Sequence, residues 1–443
     1  MKIGLIGNMN NNNFSLLRYF RDLGADAHLL LYAEDGQGSL SHFQPAADTW
    51  HLERWAPYIQ QTAIPNTPIA ALDFPLSWLM SIRSFLKAKW GRQETWVAPV
   101  SRSLIRSTYA GYDGLIASGL SPAVLQRVSR RLDIFYPYAI QVEFLEAPQF
   151  TTSLHSARGL TGYGWRLLQR RQALGIRAAT RVFNADPGIT QETLVRHGAR
   201  PLAMAIPMVY PHETLPTGPP SETLRHAQTL AREASFSALH HARLIWQNPG
   251  HWTPEEWRSE NKNSQRFFLA LARFLEERPA AQPRIFVVEY GPDVAATRSL
   301  VAELGLTPFV TWLPIMPRKE LMWLLAQVSL AVGEFYDVPR MIWGGTGWEA
   351  LASGKPILQG FQFTDGEFES LYRYPAPPLL GVRTEADILA ALLRVADRPA
   401  DLAGIGTAAR AWFDRHNGIG LARQWLEQLT NAPDAKDRSS QTH

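Results

Sequence analysis

Three glycines and a threonine run directly into an apolar stretch in WGGTGWEALASGKPILQ, residues 343–359. The apolar part reads as a helix, and a helix begins with backbone N–H groups that have no partner inside it. Together with the aligned peptide dipoles they make a place for an anion. Gly344, Gly345, Thr346 and Gly347 are the candidate anion contacts, because glycine lets a charged oxygen approach the backbone closely. Glu349 is expected on the first turn, where its carboxylate can accept hydrogen bonds from a diol such as a ribose. The competing reading is a structural turn in which Glu349 only offsets the helix dipole. Gly354 closes the helix and Lys355-Pro356 opens the next strand.

A second polar loop, Gly7, Asn8 and Asn10–Asn13, follows the strand-like KIGLIG at 2–7. Open α/β sheets bind ligands beyond the carboxyl ends of their strands, and Asn amides can donate to phosphates or sugar hydroxyls. A plain strand-to-helix turn with Asn13 as N-cap is the alternative. The glycine spacing departs from GxGxxG, which disfavours a hydride-transfer cofactor. The chain has no cysteine, so disulfides, thiolate metal sites and Cys nucleophiles are excluded. No HxH or DxD cluster stands near the glycine-rich segment, and chemistry without a metal or other cofactor is expected.

Positioning these loops requires a repeating βα scaffold. KIGLIG, an amphipathic FSLLRYFRDLG ending at Gly24, and AHLLLY (27–32) form a βαβ start, which implies a parallel sheet covered by helices. GLIAS (114–118), IFYPY (134–138), RVFNAD (181–186) and PLAMAIP (201–207) continue the rhythm. The Pro-rich 207–222 reads as a linker and TLRHAQTLAREASFSALHHA (223–242) as a helical insertion. The pattern then restarts with strands expected at 243–249, 284–291, 309–314, 330–335 and 355–359. The division expected is 1–210, a linker and insertion at 211–242, 243–430, and a polar flexible tail at 431–443, with the last helix packing back on the first domain. At 443 residues, 46% hydrophobic and mean hydropathy −0.17, the chain can bury two large cores. No run of 18 apolar residues is present, so a membrane-spanning helix is not expected. The N-terminus does not read as a signal peptide, and a cytoplasmic location is expected. Residues 1–215 hold 21 Lys/Arg against 15 Asp/Glu. That excess suits phosphates or an anionic surface but is too scattered for a nucleic-acid footprint.

The order of motifs in the second half resembles the retaining GT-B glycosyltransferases of the glycogen-synthase-like family four. VVEYGPD (287–293), AELGL (302–306), VTWLPIMPRKELMWLLAQVSLAV (310–332) and WEALASGKPI (348–357) match that family's segments in order and spacing over roughly 243–430. The resemblance implies an α/β GT-B fold, two Rossmann-like domains facing each other across a cleft. It implies transfer of a hexose from a nucleoside-diphosphate sugar, UDP- or GDP-linked, to a glycan or lipid-linked glycan with retention of configuration, in cell-surface polysaccharide or glycoconjugate synthesis. A catalytically degenerate sugar-nucleotide or glycan binder, partnering an active transferase, and a sugar-nucleotide 2-epimerase on the same fold are the alternatives.

Carried over by residue, the resemblance implies Glu349 on the ribose hydroxyls, the 344–347 backbone on the diphosphate or sugar, Lys262 on the phosphates, and the base near Leu313 and Pro314. The family's first glutamate of E-x7-E falls on Met341, which accepts no hydrogen bond, so Glu334 or Asp337 is expected to substitute. The family's phosphate-binding Arg has no clear match in WQNPGHW; His251 is the candidate there. The first domain is expected to bind the acceptor through Gln141, Glu143 and Glu146. FPLSWLMSIRSFLKAKWGR (74–92) mixes aromatic and basic residues and is a candidate contact with an anionic membrane on the cytoplasmic face; an amphipathic helix packed on the sheet is the other reading.

Overall fold

A computed structural model describes residues 1–33, 43–89, 98–250 and 252–431. They fall into two compact units: one from within 1–46, 51–208 and the closing helix Ile419–Thr430, the other from 47–50 and 209–418.

In the first unit a seven-stranded parallel sheet has the order β3-β2-β1-β4-β5-β6-β7. Its strands are β1 (Lys2–Ile6), β2 (Asp26–Leu31), β3 (Ile59–Gln61), β4 (Gly114–Ala117), β5 (Ile134–Phe135), β6 (Arg181–Asn184) and β7 (Pro201–Ala203). β1 and β4 are buried along nearly their whole length, as strands covered on both faces must be. The closing helix belongs to this unit because of Trp425, which is fully buried, donates to the Ala205 carbonyl at 2.9 Å and meets the Phe183 ring edge-on at 4.7 Å.

The second unit holds six parallel strands in the order β10-β9-β8-β11-β12-β13: β8 (Ser237–His240), β9 (Arg284–Val288), β10 (Val310–Leu313), β11 (Leu330–Val332), β12 (Ile357–Gly360) and β13 (Leu380–Val382). Phe267, Phe268, Leu271 and Phe274 of the helix Gln265–Glu277 pack on Ile285 and Val287 of β9 to make its core. Each sheet with its helices is a Rossmann-like α/β domain. Among the described residues no helix is long and apolar enough to cross a membrane.

The stretch read as linker and insertion instead supplies the helix Glu222–Glu233 and β8, the first strand of the second sheet. The strand expected at 243–249 is a loop. Arg243, Gln247 and Asn248 are exposed there, whereas all four residues of SALH are buried. His240 made that segment look polar, yet its ring stacks on Phe268 at 6.0 Å. The edge strands β3 and β13 were not expected at all. Asn13 is not an N-cap: Asn11 holds that position, and Asn8 Oδ1 accepts the Phe14 N–H at 3.0 Å instead.

Candidate functional site

In each sheet the strand order reverses once, between β1 and β4 and between β8 and β11. Ligands of open α/β sheets bind at the carboxyl ends of strands at such a reversal. Beyond β11 the chain runs through Gly333 to Glu334. Gly333 is required: a Cβ there would stand 1.9 Å from Gln359 Oε1. Buried Gln359 accepts from the Glu334 N–H at 3.2 Å and donates to its carbonyl at 2.6 Å, fixing the backbone from which the Glu334 side chain departs. That carboxylate is buried; Oε2 accepts the Gly344 N–H at 2.8 Å and Oε1 lies 3.4 Å from Lys262 Nζ.

Lys262 ties the two central strands together. Its N–H donates to the Ile245 carbonyl at 2.8 Å beyond β8, and its own carbonyl accepts from Phe335 at 2.9 Å beyond β11. The ammonium also bonds the Tyr336 hydroxyl. Asn263 adopts a left-handed backbone, φ 48°, and donates to the Phe335 carbonyl and to Asp337. Asp337 is exposed and held by both Arg266 Nη atoms at 2.7 Å. Of the two proposed stand-ins for the glutamate missing at Met341, Glu334 therefore lies with Lys262, and Asp337 is bound to Arg266.

The helix after the glycine-rich loop spans Gly345–Ala352 with Gly344 as N-cap. Gly345 and Gly347 are thus inside it, and Glu349 falls on the second turn rather than the first. A Cβ on Gly347 would meet Trp343 Cδ1 at 2.1 Å, and the Trp343 indole is fixed by stacking on Phe368. The amides of Gly345 and Thr346 open the helix with no carbonyl partner earlier in it. Gly344, just before them, is tied through the Glu334 carboxylate to the Lys262 ammonium.

Glu349 is buried, and each of its oxygens has a partner. His241 Nε2 lies 3.0 Å from Oε2, and Arg318 donates its Nε–H to Oε1 at 2.8 Å. Arg318 also pairs with Asp48 at 2.9 Å; residues 47–50 belong to this unit. Burial pushes the Glu349 carboxyl up, but the His241 hydrogen bond and the Arg318 charge outweigh it and hold it below the ordinary carboxylate range. A carboxylate offers about four lone-pair sites, and these partners take one on each oxygen. Leu313 is buried at the end of β10, and Pro314 is exposed just beyond, on the same carboxyl-end edge. His251 lies outside the described residues.

Four residues of this site escaped the sequence reading: Arg243, His241, Arg318 and Gln359. Arg243 sits in the loop beyond β8, exposed, its guanidinium 5.7 Å from the Tyr290 ring centroid. Among the described residues no carboxylate pairs with it. The misplaced strand at 243–249 hid this cation, which stands two residues from the Ile245 carbonyl that anchors Lys262. Among the described residues no group of three or more His, Asp or Glu is arranged to hold a metal ion.

In the first unit, Gly7 donates to the Leu30 carbonyl at 2.9 Å with φ 74°. Asn8 is buried, both its donors spent on Asn11 Oδ1 and the Phe43 carbonyl. That amide builds the turn. Gln141 has a left-handed backbone, φ 61°, opening the helical turn Val142–Glu146. Glu146 pairs with Arg196 and His197. Glu143 is buried and accepts the Gly119 N–H at 2.7 Å beyond β4, with weaker bonds from Tyr138 and Ala139. Burial pushes its carboxyl up to about 7, against those backbone hydrogen bonds. Between the ordinary value and about 7 the folded protein holds a proton that the unfolded chain has lost, so this group's contribution to stability falls as pH rises. From about pH 5 to about pH 8, the Tm of Glu143→Gln should therefore rise relative to wild type, whatever the offset at the acid end. A difference independent of pH across that range would show that Glu143 is ionised throughout.

No family model matches the chain, and no curated protein matches its sequence. Solved structures do match its fold. The Anabaena protein HepE, solved with UDP and glucose, is 16% identical with a TM-score of 0.56, the alignment covering 97% of this chain and 99% of that one. A mutant of S. aureus TarM, in complex with fondaparinux, α-GlcNAc-glycerol and UDP, is 9% identical with a TM-score of 0.55, covering 97% and 100%. Sucrose-phosphate synthase from Thermosynechococcus elongatus is 12% identical with a TM-score of 0.51, covering 97% and 98%. At these identities the likeness is one of fold: the chain has the α/β, two-domain Rossmann-like GT-B architecture.

Proposed function

We propose that the protein is a glycosyltransferase that binds a nucleoside-diphosphate sugar in its second unit and transfers the hexose to a glycan or lipid-linked glycan acceptor with retention of configuration. One observation carries the reading. The Lys262 ammonium lies 3.4 Å from the Glu334 carboxylate, and that carboxylate accepts the amide directly preceding the Gly345–Ala352 helix. A leaving diphosphate needs positive charge where its own charge grows, and a sugar needs an acceptor for its hydroxyls. This corner provides both within one hydrogen-bond radius.

In the proposed reaction the bond from the anomeric carbon to the β-phosphate oxygen breaks as the acceptor oxygen bonds that carbon on the same face. The acceptor proton passes to the departing phosphate. Lys262 and the amides of Gly345 and Thr346 stabilise the charge on that phosphate, with Arg243, in the loop beyond β8, as a second candidate cation. Glu334 orients the sugar, Glu349 receives the ribose hydroxyls, and Leu313 and Pro314 flank the base. The charge is met by protein groups, so turnover is expected to survive chelation of divalent ions. UDP is the favoured nucleotide, since the HepE and TarM structures both hold it. Acceptor recognition is assigned to the first unit, near Gln141 and Glu143.

Titration with UDP, GDP and ADP, followed by calorimetry and thermal shift, tests the donor site. At about 100 times its dissociation constant one nucleotide should stabilise the fold by about 2.7 kcal/mol, and Glu349→Gln should bind it more weakly. No binding of any of the three at millimolar concentration would overturn the reading. Interconversion of sugar nucleotides without an acceptor would identify an epimerase instead.

A further inference from the structure

The first unit carries two adjoining helices that contain no acidic residue. Helix Leu76–Lys89 contains Arg83, Lys87 and Lys89, and helix Gly159–Ala178 contains Arg166, Arg170, Arg171 and Arg177. No Asp or Glu occurs anywhere in 74–89 or 147–185. The helices touch: Met80 Sδ lies 3.4 Å from where a Cβ on Gly164 would stand.

Along the longer helix Leu160, Tyr163, Arg166, Arg170, Leu174 and Arg177 are all exposed. Their spacing of three and four residues places them on one face. Apolar side chains and guanidinium groups therefore share one stripe instead of being segregated to core and solvent. Only Arg171 turns away, onto Asp73 at 2.6 Å. On the shorter helix Trp78 is 50% and Phe85 49% exposed, and Phe74, just before it, 77%. Single exposed apolar residues need no explanation, but two touching helices that each expose several aromatic or aliphatic side chains among basic ones mark a surface that is covered in use.

We infer that the first unit docks on an anionic phospholipid surface through the joined outward faces of these two helices. Aromatic and aliphatic groups enter the boundary between headgroups and acyl chains, while the arginines meet lipid phosphates. The absence of any carboxylate from both helices sets the sign of the partner's charge. The exposed Phe, Trp and Leu side chains favour a bilayer over a soluble polyanion, which offers them nothing apolar. The inference goes beyond the donor reading and does not rest on it, since docking requires no nucleotide. It does specify the acceptor class compatible with both: one carried on a lipid.

Flotation of the full chain with vesicles tests it. The protein should float with vesicles containing about a third phosphatidylglycerol and not with pure phosphatidylcholine, and high salt should weaken the association. Arg166→Glu with Arg170→Glu should lower the partition coefficient about tenfold or more. Trp78→Ser with Tyr163→Ser should weaken binding even at low salt. All four positions are exposed, and an unchanged melting curve will show that each variant is folded. Equal binding to both vesicle types, or to neither, overturns the inference. So does a wild-type dimer dissociated by the same substitutions, which would make the patch a protein interface. Vesicle binding without nucleotide binding would leave this inference standing while the donor reading fell.

Discussion

Replacing Lys262 with alanine should lower kcat about 10²–10³-fold, the loss typical when one preorganised group is removed from a developing oxyanion. The side chain is mostly buried, so its charge acts through a medium of lower dielectric than water. The same substitution should also destabilise the second unit, because it strips buried Glu334 of its cation. The two effects can be separated. In Lys262→Ala/Glu334→Gln the uncompensated charge is gone, and the glutamine oxygen can still accept the Gly344 N–H. Stability should return toward wild type while turnover stays low. If turnover returned along with stability, Lys262 would serve the fold and not the leaving group.

Residues close in sequence were legible, and pairs formed across the sheet were not. KIGLIG and KPILQ read as strands because a parallel strand covered on both faces is largely apolar, and they supply most of the buried β1 and β12. The glycine-rich turn into WEALASG was equally plain, since only glycine leaves room for Trp343 against the helix. β8 was missed because a histidine reads as polar until Phe268 is seen stacked on it. That error displaced the following loop and concealed Arg243. β3, IQQ, is an edge strand with two of its three residues exposed and carries no apolar signal.

Within the site, the roles of Lys262 and Glu349 rested on motif order, but their partners lie far away in the chain. Glu334 is 72 positions from Lys262, and Asp48 is 270 from Arg318. No local pattern announces such a pairing. Glu143 shows the opposite failure. It reads as an acidic loop residue available to a ligand, yet β4 and the 138–139 turn draw its carboxylate inward onto backbone amides.

Arg318 should prove the most stability-critical charged residue of the second unit. Its guanidinium bridges Glu349 and Asp48, and all three side chains are largely shielded from water. Burial alone would discharge it; the two carboxylates hold it firmly charged instead. Arg318→Met keeps much of the side-chain length and removes the cation, leaving both carboxylates without their shared partner. Losing one member of a buried ion pair costs about 3–5 kcal/mol, which for a unit of this size lowers Tm by about 6–20 °C. Direct loss of packing predicts a smaller fall that does not depend on pH. The electrostatic account fixes the sign of the dependence. In wild type the Glu349 carboxyl titrates below its unfolded value, so its contribution is complete above that value and is lost as pH falls through the lower, folded one. In the variant the charge is a liability that protonation removes, so the Tm gap between the two proteins should narrow as pH falls from about 7 to about 4.5. Adding Asp48→Asn and Glu349→Gln to Arg318→Met should recover most of the lost stability at neutral pH, because the triad is then replaced by neutral groups of similar volume. A gap that stays constant with pH and survives those two substitutions would show that Arg318 holds the unit together by packing rather than by charge.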